Sequence, residues 1–361
     1  MRRFPAADKR GPENFHANAF FRLRESHGRF HVISCSKQPG TPPQTMPALD
    51  LTVQSAEPAA EMIRRLVLAP AAGALPGWTP GAHVELLLPD GTTRAYSLVD
   101  AAGEWGRPAA YVLGVRLDPQ GQGGSRHVHA LRPGDPVQVL APRNSFPLDG
   151  SDAPVLLVAG GIGVTPLVSM AAALAAGRRD WRMILAARSR AALAFEPEVR
   201  ALAGDRLTLH LDDAAGGPAD LGPAIRAAAP GTHLYVCGPR PMIEAARRHA
   251  EAAGFPPERI HVELFETAAP QAGDQPFEVQ INDGRVFTVP PGQSIIAVLE
   301  AAGVDLIYDC QRGDCGICQV NVLDGLPDHR DVVLTAAERA GNRVMQICVS
   351  RARGGRLVLD I

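Results

Sequence analysis

The chain has 361 residues, more than the roughly 100–200 of a single domain, so two or three domains are expected. Its formal charge is −2 at pH 7, and no Lys/Arg stripe or stacking-aromatic pattern runs along it, which argues against nucleic acid as a partner. Residues 155–177 (VLLVAGGIGVTPLVSMAAALAAG) carry no charge, but they break into a β-branched run, a glycine turn, a Thr-Pro pair and an Ala-rich helix, so they read as a buried strand, loop and helix and not as a membrane span.

Residues 1–45 differ from the rest. They hold both lysines of the chain, Lys9 and Lys37, whereas every later basic residue except histidine is arginine. The expectation is a native start at Met46, with 1–45 a disordered extension or a start-site artefact. From about 48 to 148, short β-type runs recur (LDLTVQSAE, EMIRRLVLAP, HVELLLP, TRAYSLVD, AAYVLGVRL, DPVQVLAP) between turn signals such as PDG and RPGD, the spacing of a small antiparallel barrel or sandwich. From about 153 to 265 the rhythm becomes strand then helix (VLLVA, RMILAA, LTLHLDD, THLYVCG, with helices such as PMIEAARRHAEAAG), which predicts a parallel α/β sheet. TAAPQAGDQP, residues 267–276, reads as a linker, and FEVQINDGRVFTVPPGQSIIAVLEAAG beyond it as a hairpin followed by a helix. The boundaries expected are therefore 46–150, 151–266, a linker at 267–276, and 277–361.

No signal peptide with an apolar core precedes the six cysteines, so the expected compartment is a reducing cytoplasm, where clustered thiols mean metal or redox chemistry. Cys310, Cys315 and Cys318 form C-x4-C-x2-C, with Cys348 as a distant fourth: the ligand spacing of a plant-type [2Fe–2S] centre. Such a cluster needs four thiolates and backbone N–H donors to its sulfides, and Gly313 and Gly316 let the loop wrap closely. A Cys₄ zinc site is the competing assignment, but it usually pairs two C-x2-C knuckles. Cys35 and Cys237 lie outside the pattern. Residues 277–361, including DCQRGDCGIC and CVSRA, resemble the plant-type ferredoxin domain, which implies an α+β (β-grasp) fold with Cys310, Cys315, Cys318 and Cys348 as metal ligands.

Arg94, Ala95, Tyr96 and Ser97 (RAYS) resemble the R-x-Y-S flavin motif of the ferredoxin-reductase superfamily. The residue types suit a flavin: an arginine for its phosphate, a tyrosine against the isoalloxazine, a serine hydroxyl toward N5. An edge strand with a surface arginine and a core tyrosine remains open. Gly123, Gly124 and Ser125, opening a short helix in GQGGSRHVH, offer N–H groups and a hydroxyl to a phosphate and resemble the second flavin element; His129 reads as a structural or capping residue.

In GGIGVTP, Gly160, Gly161 and Gly163 follow a strand and open a helix, which permits close approach of a pyrophosphate. With Thr165 and Pro166 the segment resembles the nicotinamide-binding domain of the same reductases. Its companion is YVCGPRPMI, with Cys237, Gly238 and Pro239 at the carboxyl edge of the sheet, where ligands bind; the resemblance puts Cys237 near nicotinamide C4, and a buried structural cysteine is the alternative. Phe265 is a candidate for packing near the flavin, with core packing as the equal alternative. Arg188 and Arg190 follow the second strand, where the ribose is read. Two arginines suit a 2′-phosphate, but relatives with this domain order generally use NADH, and NADH is expected.

The order flavin barrel, nicotinamide domain, C-terminal ferredoxin resembles the phthalate dioxygenase reductase and vanillate O-demethylase reductase family. It implies FMN, NADH and a [2Fe–2S] cluster, with hydride passing over Ser97 and Cys237 to the flavin and single electrons to the cluster. Clusters of this type sit near about −400 mV and Rieske centres at about −150 to +300 mV, so onward flow to a Rieske oxygenase is downhill. The expected acceptor is a separate Rieske non-haem iron oxygenase acting on an aromatic acid, a methoxylated aromatic or a quaternary amine. A cytochrome P450 or diiron hydroxylase acceptor, a non-enzymatic redox sensor and a free-flavin reductase are the alternatives. A monomer without membrane association is the default.

Overall fold

A computed structural model of the chain describes residues 48–266 and 270–361, with Met46–Ile361 forming one compact unit. The expected extension at 1–45 and the linker residues 267–269 lie outside the described residues.

The first sheet is antiparallel: β1 (Ala48–Ala60), β2 (Ile63–Pro70), β3 (His83–Leu87), β4 (Thr93–Ser97), β5 (Tyr111–Arg116) and β6 (Pro136–Leu140), in the order β4-β3-β6-β1-β2-β5. A bridge from Leu98 to Leu113 joins the end of β4 to β5 and closes the sheet into the expected barrel. Leu51, Val53, Leu66, Leu68, Leu86, Leu113 and Val139 fill its interior, as alternation along these strands requires. One helix, α1 (Gly124–Ala130), follows β5.

The second sheet is parallel. It comprises β7 (Val155–Gly160), β8 (Trp181–Ala187), β9 (Leu207–Leu211), β10 (His233–Cys237) and β11 (Ile260–Glu263), in the order β11-β10-β7-β8-β9. Its helices are α2 (Val164–Ala176), α3 (Glu196–Ala203), α4 (Asp212–Ala215), α5 (Gly222–Arg226) and α6 (Arg240–Ala252). All six residues of β7 are buried, the mark of a central strand covered on both faces. On α6, Ile243, Ala246, Arg247 and Ala250 are buried at helical spacing. The strand order reverses between β7 and β10, so the crevice at their carboxyl ends is the topological switch point.

The third sheet is mixed, in the order β13-β12-β18-β14-β16, with β12 (Phe277–Gln280) and β18 (Arg356–Leu359) parallel. The other strands are β13 (Val286–Val289), β14 (Gln319–Asp324) and β16 (Val344–Gln346). A small ribbon pairs β15 (Pro327–Asp328) with β17 (Arg351–Ala352), and the helices are α7 (Ile295–Ala301) and α8 (Ala336–Gly341). Thr335 and Glu338 form a capping box on α8. The tail of the expected linker is anchored: Asp274 accepts from Arg330 Nη1 at 3.0 Å and lies 3.9 Å from Arg351. Two guanidinium groups converging on one carboxylate give this Pro/Gly-rich stretch a fixed end that its composition does not advertise.

The three sheets pack through polar contacts. Ser169 of α2 donates to the Leu98 carbonyl and accepts from Asp100 N–H, each at 2.9 Å, joining the parallel sheet to the barrel. Arg240 and Arg247 of α6 donate to the carbonyls of Arg330 and Val333 at 3.0 and 2.9 Å, and Val332 is buried in the core beneath α6. Among the described residues no helix is long and apolar enough to cross a membrane.

Candidate functional site

The four candidate ligand cysteines, three in the loop and Cys348 beyond it, fall into two pairs. Cys310 neighbours Cys315, and Cys318 neighbours Cys348. Within each pair the neighbouring thiol pushes one group up, Cys310 to about 12 and Cys348 upward, and holds the other down. Among the described residues no three His, Cys, Asp or Glu side chains converge on one point. A single zinc ion needs four convergent ligands, whereas two irons joined by sulfides take two thiolates each, so the paired arrangement fits a [2Fe–2S] cluster. The Arg312 N–H already points at Cys310 Sγ, at 3.3 Å. Gly313 and Gly316, at φ +84° and +77°, turn the loop back on itself.

The RAYS residues lie on β4. Arg94 Nη1 donates to the Thr93 carbonyl and Nη2 reaches Gln122 at 3.3 Å, and a Cβ on Gly124 would stand 2.6 Å from Arg94 Cγ. The fold thus brings Arg94 against the first turn of α1, whose N-cap is Gly123 at φ +95° with no side-chain cap. That cradle of a guanidinium and uncapped N–H groups fits a phosphate. Ser125 behaves differently: its hydroxyl accepts from Asp118 N–H at 2.9 Å and closes the 118–125 loop. Ala95 is exposed, Tyr96 is half-buried with burial pushing its hydroxyl up to about 12, and Ser97 is buried. His129 Nε2 meets the Val115 carbonyl at 2.9 Å, a structural contact.

At the switch point, Gly160 and Gly161 lead from β7 into the turn before α2, and Cys237, Gly238 and Pro239 lead from β10 into α6. The two loops interlock: a Cβ on Gly163 would stand 2.2 Å from the Cys237 carbonyl oxygen. Thr165 and Pro166 are buried in α2, and the Thr165 hydroxyl donates to the Ile162 carbonyl at 3.0 Å. Cys237 is fully buried, and its thiol is pushed well up by burial first and by Glu263 second. Phe265 is 39% exposed, which removes the core-packing alternative. Arg188 is exposed, whereas Arg190 is engaged by Glu196 at 3.3 Å.

Several residues at this junction escaped sequence reasoning. Asp309, next to Cys310, accepts from Arg143 Nη2 at 2.8 Å and from the Ser145 hydroxyl at 2.9 Å. Arg143 is locked to β3 by paired backbone hydrogen bonds with His83, and His83 lies opposite Ser97 in register. Ser97, His83, Arg143, Asp309 and Cys310 therefore follow one another from the flavin-type motif to the first cluster-type ligand. Glu263 pairs in register with Cys237, and Asp314 Oδ2 accepts from Leu264 N–H at 2.6 Å. Burial raises Glu263 to about 8 and Asp314 to about 7, against the pull of Arg312. Ser145, Glu263, Cys310, Arg312, Asp314 and Cys315 line one small cavity. Glu263 had a signal, two positions before Phe265 in HVELFE; the charges within DCQRGDCGIC are silent in a motif defined by cysteine spacing.

Comparison with known proteins agrees with this architecture. Residues 157–248 match the oxidoreductase NAD-binding domain family, and residues 279–353 the 2Fe-2S iron-sulfur cluster binding domain family. The chain is 42% identical to a vanillate O-demethylase oxidoreductase of a Pseudomonas species over 301 residues, covering 80% of this chain and 92% of that one. The solved structure of phthalate dioxygenase reductase, described as modular for electron transfer from pyridine nucleotides to [2Fe-2S], superposes with a TM-score of 0.62 at 33% identity, covering 87% of this chain and 98% of that one. An intact type IV self-sufficient cytochrome P450 monooxygenase matches with a TM-score of 0.63 at 33% identity, and there 87% of this chain covers 41% of the longer one.

Proposed function

Since this chain belongs to the phthalate dioxygenase reductase and vanillate O-demethylase oxidoreductase family, we propose that it is the reductase component of an oxygenase system, carrying electrons from NADH through FMN and a [2Fe–2S] cluster to a separate oxygenase. The observation that carries this reading is the short run from Ser97 through His83, Arg143 and Asp309 to Cys310, which sets the flavin-type strand against the cluster-type loop.

When bound, the flavin converts the two-electron chemistry of NADH into the one-electron chemistry of the cluster. The protein's own part is to hold and orient. Arg94, Gly123 and Gly124 hold the flavin phosphate, and Tyr96 and Ser97 flank the ring. Gly160, Gly161, Gly163 and the Cys237–Pro239 turn admit the nicotinamide end of the dinucleotide, and buried Cys237, kept neutral by its surroundings, offers a close-packed wall there. Cys310, Cys315, Cys318 and Cys348 hold the cluster. The modules are predicted to divide near residues 150 and 266, with the chain acting as a monomer. NADH is favoured over NADPH on the family's domain order, and Arg188 and Arg190 both stay exposed at the ribose side, Arg190 beside Glu196 at 3.3 Å.

The acceptor is a Rieske non-haem iron oxygenase, in keeping with the relatives named for aromatic demethylation and dioxygenation. A second reading, a cytochrome P450 acceptor, is favoured by the match to the self-sufficient P450 monooxygenase. An anaerobic NADH titration followed by absorbance and EPR tests the electron chain: three electrons, about one and a half equivalents of NADH, bleach both centres and produce a reduced-cluster signal. A flavin that bleaches while no cluster signal develops overturns the reading. Reconstitution with purified Rieske and P450 partners separates the two acceptors.

A further inference from the structure

Arg312 lies two residues after Cys310, yet its side chain leaves the cluster loop for the parallel sheet. Its Nη2 stands 3.9 Å from Glu263 Oε1 at the end of β11, and its Nε 3.6 Å from Asp314 Oδ2. The Arg312 side chain is 16% exposed and the two carboxylates 4%. The guanidinium acts on groups from all three sheets: His83 of the barrel, Cys237 and Glu263 of the parallel sheet, and Cys310 and Asp314 of the cluster loop.

A role as a plain interdomain clasp explains little of this. Asp309, Arg240 and Arg247 already clasp the module, with hydrogen bonds of 2.8–3.0 Å. Neither Arg312 contact is a hydrogen bond, and Arg312 Nε, Glu263 Oε2 and Asp314 Oδ1 are all buried without a partner. Burying a cation this way is costly, and the cost is offset by Coulomb attraction to Asp314, Glu263 and the neighbouring thiols without a hydrogen bond to either carboxylate. The arrangement makes electrostatic sense beside a larger negative charge. Four thiolates around two irons supply one, and it grows by a unit when the cluster takes an electron.

Taking the reductase function above as its basis, we propose that Arg312 sets the cluster potential: its buried charge, placed between the Cys237 edge and the Cys310/Cys315 pair, favours the reduced cluster and draws the electron from flavin to cluster. The electron originates in NADH and leaves to the acceptor, and no bond to the protein forms or breaks. Asp314 and Glu263 hold the guanidinium at the junction, and the Arg312 backbone N–H serves Cys310 separately, so changing the side chain leaves that donor in place.

The test is an EPR-monitored redox titration with mediators on the full-length holoprotein, compared with Arg312→Gln, Arg312→Lys and Glu263→Gln. The expected result is a more negative cluster midpoint in R312Q with its EPR signal retained, lowering the flavin-to-cluster equilibrium constant about tenfold. R312K recovers most of the shift, because it restores the charge without the guanidinium shape. E263Q, titrated above pH 8 where Glu263 is ionised, moves the midpoint the other way, since it leaves the cation less compensated, and it provides the reading should R312Q fail to assemble a cluster. A cluster midpoint unmoved in R312Q, or in E263Q where R312Q does not assemble, overturns the proposal while leaving the reductase function standing. A wild-type protein with no reducible cluster overturns both.

Discussion

Asp309 Oδ1 accepts a 2.8 Å hydrogen bond from Arg143 Nη2, so the residue immediately before the first cysteine of the loop is held by the barrel. The Ser145 hydroxyl binds the other carboxylate oxygen at 2.9 Å. Because the Arg143 side chain is 42% exposed, the pair contributes at most about 1 kcal/mol to stability, and its value lies in placement. Asp309→Ala is expected to leave the melting temperature nearly unchanged and NADH reduction of the flavin intact, while slowing flavin-to-cluster transfer severalfold. Stopped-flow absorbance at flavin and cluster wavelengths separates the two phases; equal cluster rates in variant and wild type would sink the idea.

The pairing of the thiols leads to a different kind of loss. Cys348 is buried in the ferredoxin-type core beside Cys318, whereas Cys310 and Cys315 line the junction cavity. Cys348→Ser is expected to abolish the EPR signal of the reduced cluster and the reduction of cytochrome c. Ferricyanide reduction by NADH, which needs only the flavin, is retained. Loss of both activities together would place the cluster upstream of the flavin, contrary to the order argued here.

How much of this was legible follows from the kind of signal each feature leaves. Hydrophobic alternation and β/α rhythm report burial within one module, and the β1–β10 runs read from the sequence recur in the structure for that reason. Cysteine spacing is as direct, since four ligands must meet one group. Contacts between modules leave no such trace. Ser169, Asp309, Arg312 and Asp314 each join segments between 49 and 164 residues apart in the chain, and nothing periodic marks them. Ser125 shows a further limit: its place in a Gly-Gly-Ser turn suggests a phosphate contact, and nothing in that motif marks the second job of its hydroxyl, accepting from Asp118 N–H to close the loop.

A buried histidine pair gives the fold an acid-sensitive point away from the candidate site. His261 stacks on Tyr235 at 4.3 Å and its Nε2 lies 2.9 Å from His233 Nδ1, with Asp149, Arg179 and Arg259 acting on His233. Burial first, and then His233, lowers His261 from 6.5 to about 4. The unfolded chain thus binds the proton before the folded one does. The stability held by a neutral His261 is complete above pH 6.5 and is lost as the pH falls through about 4. His83, lowered to about 4 by burial and then by Arg312, adds to the same window. The difference in melting temperature between wild type and His261→Phe cancels the opposite effect of Glu263 and Asp314, which titrate at about 8 and about 7. That difference is expected to be level above pH 6.5 and to fall below it. An identical slope in that variant would remove His261 from the account.

The interlock at the switch point yields the most local prediction. A Cβ on Gly163 would meet the Cys237 carbonyl oxygen at 2.2 Å, its carbon at 2.4 Å and Gly238 N at 2.8 Å, all backbone atoms that cannot swing aside. Gly163→Ala must therefore push the two nicotinamide-side loops apart, at a cost of about 1–3 kcal/mol. Gly161 makes a good control, because its Cβ would meet nothing within 4 Å and only its φ of +54° resists substitution. Gly163→Ala is expected to raise the KM for NADH and lower the melting temperature while flavin content stays at the wild-type level, since Arg94 and α1 lie on the barrel. Gly161→Ala should lower stability by about 1 kcal/mol through backbone strain alone. Flavin analysis, calorimetry and NADH kinetics on the two variants decide it: equal KM values would mean that the approach of the loops does not govern nucleotide entry.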